Sequence, residues 1–409
     1  MSNTPFTSQI FIDIWKKHFV PNKLIKKFQF IEGVSFYKSN FLPVFFNAGK
    51  NLTKGNNYKI HDYKDYKNKT FIIYDVLPHL KDDSVKLPKD IKILKSNQYP
   101  GFLIDLTKFS NIDEYLLKTF SKNTRMKMRK FSSRLDTCFN ISTKMFFGNI
   151  DKKEYESIFD HFMVLLQKRY SDKQISNNNM LPSEWNFYRE IAYPLIMDKK
   201  ASLFVIYDNK VPINITYNYH TEDTLIDAMT VFDIDYSKFN IGYVNNLKIL
   251  NWCFENNLKT LDFSKGYFDY KKRMCSLEYN FEYHILFDNN SIKAKMTAFF
   301  LYKFYEFKSS LRNKGINTVI HKLTFLIKNK KTKKAHSEMT ELKGLPDINT
   351  LSEINFNKEK HAFLNKNICD FLYSTSKNRS EIKVYSVNNQ NDSYIISCET
   401  LAQKISLKL

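Results

Sequence analysis

The sequence predicts a mixed α/β (α+β) fold organised around residues 224–274, and three observations carry that reading. Three strand-like runs, SLFVIYDN, VPINITYNYH and TLIDAMTVFD, follow one another with tight connections at Asp208-Asn209 and at His220 to Asp223, the pattern of an antiparallel meander. They lead through a polar break, Ile234 to Phe239, into a glycine turn (NIGY, 240–243) that opens a helix, VNNLKILNWCFENN, and then a short strand, LKTLDF. Within that helix Val244, Leu247, Leu250 and Phe254 recur at steps of three or four, which sets them on one face against a sheet, and Asn256 with Asn257 marks its end.

The remaining elements follow in chain order. Residues 1–19 form a short helix with Ile10, Ile14 and Trp15 on its apolar side, and the runs VSFYKS, FLPVFFNAG and TFIIYDVLP are strands separated by polar stretches such as 49–69. GFLIDL (101–106) is a strand and Asn111 to Phe120 a helix. The next helix carries Thr124, Met128, Phe131 and Leu135 as one stripe, with Lys122, Arg125 and Arg129 on one flank and Lys127, Lys130 and Arg134 on the other. Either this is a solvated surface helix, or one row faces an acceptor or phosphates. Arg125 with Arg129 is the candidate pair, because a guanidinium bonds two phosphate oxygens at once.

Residues 151–198 are helical apart from the stretch SDKQISNNNMLPSEW, a loop expected to border a cleft. Ser291 to Ile327 is a basic helical stretch that suits packing, partner binding or a membrane surface. KNKKTKK (328–334) is a linker, and beyond it lie a helix around Lys358 to Tyr373 and the strands EIKVYSV and SYIISC, with no function assigned.

A chain of 409 residues is too long for one ordinary core and fits two or three domains. With 43% hydrophobic and 16% aromatic residues it has the means to bury such cores, which excludes global disorder, and few Gly and Pro exclude fibrous classes. The net charge of +21 suits an anionic partner: nucleic acid, a phosphorylated ligand or an anionic membrane. Biased codon usage accounts equally well for many of the lysines. Five scattered cysteines lack zinc or redox spacing and point to a reducing compartment. The N-terminus has no signal-peptide pattern, and the best apolar run, MTAFFLYKFYEF, is interrupted at Lys303, so a soluble or peripheral protein is expected.

Candidate chemistry gathers at the turn. A strand that runs into a turn and opens a helix leaves backbone N–H groups free to receive an anion, so Asn240, Ile241, Gly242 and Tyr243 form a candidate cofactor seat. The second strand delivers Asp262, and a turn at Gly266 brings Tyr270 and Lys271 back towards it. Asp227 alternates to the same side as Leu225 and Met229, which fits a catalytic carboxylate and a buried structural one equally. His220 reads as a turn residue, and no Ser or Cys pairs with His and a carboxylate to suggest a covalent nucleophile.

The glycine turn opening a helix, followed about twenty residues on by Asp-Phe-x-x-Gly-x-x-x-Tyr-Lys (262–271), resembles the GNAT-fold acyltransferases of the CelD/BcsL type, related to Fem-type transferases. The segment FSKNTRMKMRKFSSRL (120–135) resembles that family's basic helix, and the likeness spans Gly101 to Met274. The resemblance implies two GNAT-like halves: residues 1–100, then the acyltransferase domain at 101–290. A basic helical segment and linker (291–335) and a C-terminal α/β appendix (336–409) follow.

It also implies an N-acyltransferase of cytoplasmic location, at most peripheral at the inner face of the membrane. The donor would be acetyl-CoA or another acyl-CoA, with no metal, and the acceptor a small-molecule or lipid-linked amino sugar of envelope polysaccharide or glycoconjugate assembly. Direct attack of the acceptor amine on the thioester asks the protein to position, to take a proton and to stabilise charge. On that basis Asp262, Tyr270 and Asp227 are the catalytic candidates, and Arg125, Arg129 and Lys271 the substrate-binding ones. Two alternatives stay open: a Fem-type transferase that uses charged tRNA, and a non-catalytic nucleic-acid-binding protein.

Overall fold

The computed structural model describes residues 4–80, 87–314, 324–325, 336–342, 344, 346, 351–388, 392–399 and 401–408. Among them, twelve strands form one mixed sheet. The first five are β1 (Ile25–Phe28), β2 (Ile31–Lys38), β3 (Val44–Asn47), β4 (Lys59–Ile60) and β5 (Thr70–Val76). The others are β6 (Ile91–Asp105), β7 (Ile141–Phe146), β8 (Ala201–Asp208), β9 (Val211–His220), β10 (Thr224–Phe232), β11 (Thr260–Lys265) and β12 (Leu277–Asp288). Their order is β1-β2-β3-β5-β12-β6-β11-β10-β9-β8-β7, with β4 paired to β2. β6 runs through position 100 and β12 lies between β5 and β6, so the strands of the first hundred residues share one sheet with those that follow.

The helices are α1 (Gln9–Phe19), α2 (Ile112–Thr119), α3 (Lys122–Cys138), α4 (Lys152–Lys173), α5 (Pro182–Met197), α6 (Ile241–Glu255), α7 (Asp269–Met274), α8 (Ile292–Asn313) and α9 (Asn365–Thr375). The expected meander is β8-β9-β10, antiparallel throughout. Its residues alternate between two cores: Leu203 and Val205 of β8 pack with α1, α4 and α5, whereas Phe204 and Ile206 pack with α2, α3 and α6. Helices on both faces explain why β8 is apolar at successive positions.

α6 turns a different face to the sheet from the one its leucines suggest. Ile241, Asn245, Ile249 and Cys253 are buried together with Val244 and Leu250, while Leu247 and Phe254 are only half-buried. Asn245 explains the difference: its Oδ1 accepts hydrogen bonds from Asn214 Nδ2 at 2.6 Å and Thr216 Oγ1 at 3.1 Å. A satisfied polar side chain takes a core position that hydrophobic periodicity passes over.

The C-terminal residues add β13 (His336–Leu342), β14 (Leu351–Glu353), β15 (Lys383–Val387), β16 (Ser393–Cys398) and β17 (Leu401–Lys408) as a separate antiparallel sheet, where the sequence suggested two strands. α9 docks this unit on the main body. Ile368, Phe371 and Leu372 share a core with Leu135 and Phe239, and Arg134 Nη1 donates to the Tyr373 carbonyl at 2.7 Å. The expected linker 328–334 lies outside the described residues, as does most of the expected helix beyond residue 314. No described helix is long and apolar enough to cross a membrane.

Candidate active site

The site is a place where two strands part. β10 and β11 pair in parallel over Thr224–Thr260, Leu225–Leu261 and Ile226–Asp262, and the pairing ends there. Immediately beyond, β10 carries a bulge between Asp227 and Met229 against β9, and β11 is irregular between Asp262 and Lys265 against β6, with Ser264 at φ 58°. A bulge bends its strand, so two strands bulged at the same level diverge and leave a cleft of about 380 Å³ between them.

The bulge also corrects the alternation expected for Asp227. Leu225 remains in the core with α6, but Met229 packs with Ile226 and Val231 in the opposite core. Met229 is therefore not on the side of Leu225.

α6 begins at the mouth of this cleft. The residue that makes the turn is Asn240, in the left-handed region at φ 48°, ψ 43°, and its side chain makes no cap hydrogen bond to the helix. Gly242 sits inside the first helical turn, where a Cβ would come within 3.4 Å of the Phe232 ring. Of the expected seat, Asn240, Gly242 and Tyr243 line the cleft and Ile241 is fully buried in the core.

Asp227, Tyr270 and Lys271 are brought together on the cleft wall. Asp227 accepts a hydrogen bond from Thr230 Oγ1 at 3.0 Å; burial raises its pKa against the pull of Lys271. Lys271 Nζ donates to the Phe263 carbonyl at 2.6 Å and the Lys265 carbonyl at 3.2 Å. Burial lowers it to about 8, and Asp227 and Asp262 oppose that fall. The Tyr270 hydroxyl has no hydrogen-bond partner among the described residues, and burial, then Asp227, raises its pKa.

Asp262 lies behind the wall: its Oδ2 accepts from Tyr279 at 2.7 Å and its Oδ1 from the Ser264 N–H at 2.7 Å, while burial pushes it up to about 6.

Three cations on the cleft lining, Lys54, Arg169 and Lys265, escaped the sequence reading. Lys54 enters from the polar stretch between β3 and β5, with no hydrogen bond or ion pair among the described residues. Burial lowers its pKa against the attraction of Asp75, Glu184 and Asp227. Nothing in the local sequence marks it, because only the folded sheet brings that stretch to the cleft. Arg169 lies over the Phe232 ring at 4.4 Å, and its Nε is buried without a partner. It follows Phe162 and Leu166 at helical spacing, so a cation ending an apolar stripe was a legible signal. Lys265, on the same lining, pairs with the buried Asp75 at 2.6 Å.

Arg125 and Arg129 do not line the cleft. Arg125 folds back so that its Nη1 donates to the Phe120 carbonyl at 2.5 Å, which closes the end of α2, and both arginines border a shallow groove beside Leu247. The opposite flank of α3 comes nearer the start of α6, where Lys127 and Arg273 share a groove with Asn240 and Tyr243. His220 is buried at the end of β9, 2.8 Å from Ser202 Oγ, and burial lowers its pKa to about 3. Of the expected bordering loop, Asn177 and Asn179 reach the cleft.

Residues 120–272 match the family model of the acetyltransferase (GNAT) domain. That segment is an acyltransferase domain of GNAT fold. The matched segment includes both strands that part, the start of α6 and the Asp227, Tyr270 and Lys271 wall, whereas Lys54 reaches the cleft from outside it.

Among solved structures, FemX is similar at 12% identity, over 69% of this chain and 92% of that one, with a TM-score of 0.45. A conserved protein of unknown function from Bacteroides thetaiotaomicron is similar at 8% identity, over 70% and 92%, with a TM-score of 0.43. A tandem GNAT protein from the clavulanic acid biosynthesis pathway is similar at 8% identity, over 62% and 77%, with a TM-score of 0.32. No curated protein sequence matches the chain.

Proposed function

We propose that this protein is an acyl-CoA-dependent N-acyltransferase that acetylates an amino-sugar acceptor, free or carrier-linked, in envelope polysaccharide or glycoconjugate assembly on the cytoplasmic side. The CelD/BcsL-type resemblance supports the acceptor class. The carrying observation is the cleft between β10 and β11, which has the uncapped start of α6 at its mouth and Asp227, Tyr270 and Lys271 on its wall.

These residues fit an acyl-CoA. A helix start without a side-chain cap suits phosphate oxygens, with Lys127 and Arg273 beside it, and the buried unpartnered Nε of Arg169 is a donor without an acceptor. Acyl-CoA, when bound, supplies the activated carbonyl.

The chain's own residues do the rest. Asp227, its pKa raised by burial, accepts the amine proton or orients the amine. Tyr270 keeps its phenolic proton at neutral pH and can donate it. Lys271 offsets negative charge beside Asp227, and Asp262 positions the end of β11. The loop carrying Lys54 supplies an anion contact for the acceptor from the first half of the chain.

Isothermal titration with acetyl-CoA and free CoA at two salt concentrations tests the reading. Binding that survives moderate salt, followed by turnover with an amino-sugar acceptor, supports it. Absence of CoA binding together with retention of tRNA would replace it with the Fem-type reaction.

A further inference from the structure

α8 is apolar on two opposite sides. Ala294, Ala298, Leu301 and Tyr305 face the sheet, in a core with Tyr74, Tyr283 and Ile285. On the far side Ile292, Met296, Phe299, Phe300, Phe304 and Phe307 are between 50 and 77% exposed. The inner set steps by three or four residues, and the outer set does so apart from the adjacent Phe299 and Phe300, so each forms a continuous stripe along the helix. The inner stripe holds the helix in place, with hydrogen bonds between Tyr305 and Tyr74 and from Ser96 to Glu306, and of the outer stripe only Phe304 meets it, edge-on to the Tyr305 ring at 5.2 Å. An outward row of this kind on a described surface marks a contact with something else.

Its charged surroundings select the contact. Lys293, Lys295, Lys303 and Lys308 are exposed on the same helix, and Lys303 Nζ lies 5.3 Å from the Phe299 ring. Glu306 is the one acid in α8, and Ser96 already bonds it. A second copy docked face to face would set these lysines against their own equivalents, an arrangement that repulsion disfavours. An anionic bilayer accepts both features at once: aromatic side chains enter the boundary between head groups and acyl chains, and ammonium groups meet lipid phosphates.

We propose that the outer face of α8 is an interfacial membrane-binding surface, on which the protein lies against anionic lipid without spanning it. The surface is separate from the GNAT cleft, so it stands independently of which acyl group or acceptor the enzyme uses.

Co-sedimentation with phosphatidylcholine vesicles, with and without roughly 30% phosphatidylglycerol, tests it. The full chain is expected to bind the anionic vesicles and to be released by salt. The triple variant Phe299→Ser, Phe300→Ser, Phe304→Ser is expected to lower that partition about tenfold or more. Its CoA affinity should stay unchanged and its melting temperature should fall only slightly, since the three side chains are at least half exposed and only Phe304 loses an edge contact with Tyr305. Equal binding by the triple variant, or no binding of the parent chain to anionic vesicles, overturns the proposal. A parent dimer in light scattering that the triple variant converts to a monomer, without vesicle binding, assigns the face to a second copy instead.

Discussion

Tyr279 donates its hydroxyl proton to Asp262 Oδ2 over 2.7 Å, a partnership between β12 and β11 that reaches across β6. The space for it comes from Gly101, which pairs with Tyr279 in register and whose absent Cβ would overlap the tyrosine ring. Both oxygens of Asp262 are thereby engaged, one by the phenol and one by the Ser264 N–H. Asp262 braces the point where β11 leaves β10.

The two tyrosines should therefore separate structural from catalytic effects. Tyr279→Phe leaves a buried carboxylate oxygen unsatisfied and should destabilise by about 1–3 kcal/mol in urea unfolding. Gly101→Ala should cost a similar amount by displacing the ring. Tyr270→Phe removes a hydroxyl with no described partner, so stability should change by less than about 0.5 kcal/mol while turnover falls roughly tenfold or more. Full activity in Tyr270→Phe would remove that residue from the reaction.

Asp227→Asn keeps the shape of the wall and the contact with Thr230 but cannot take a proton. Turnover is expected to drop by about two orders of magnitude, with CoA affinity measured by calorimetry unaltered. Asp262→Asn should lower turnover about tenfold, and unlike Asp227→Asn it should also lower the melting temperature.

Lys271 makes stability depend on alkaline pH. Its folded pKa is about 8 against 10.5 for an ordinary lysine, so between these values the folded chain has released a proton that the unfolded chain still holds. Stability contributed by this group therefore rises with pH across that window, by a total on the order of 3 kcal/mol. Lys271→Met should lack the rise, and the stability difference between variant and parent should change between pH 8 and 10. A difference constant with pH would mean that Lys271 titrates normally.

Gly242 and Lys54, both on the cleft lining, should separate the two substrates. Gly242→Val places a branched side chain against Phe232 at the mouth and should weaken CoA binding about tenfold with the helix intact. Lys54→Met should raise the acceptor KM several-fold and leave CoA affinity unchanged, which kinetics at saturating CoA would show.

Much of the fold was legible locally. The meander of β8 to β10, the helix that follows and the strand carrying Asp262 all stand where alternation and spacing put them, because each is specified by side chains within a few residues of one another. Tyr270 and Lys271 are likewise brought to the wall by a short turn at Gly266, φ 122°.

The tertiary structure alone decided the rest. The bulge at Asp227 sends Met229 to the other core, Asn245 rather than Leu247 faces the sheet, and Tyr279 rather than Tyr270 holds Asp262. Lys54 reaches the cleft from more than a hundred residues upstream of Asp227. Hydrophobic period and motif spacing describe a residue's neighbours along the chain; bulges, hydrogen-bonded polar cores and contacts between distant strands depend on partners that only the closed sheet supplies.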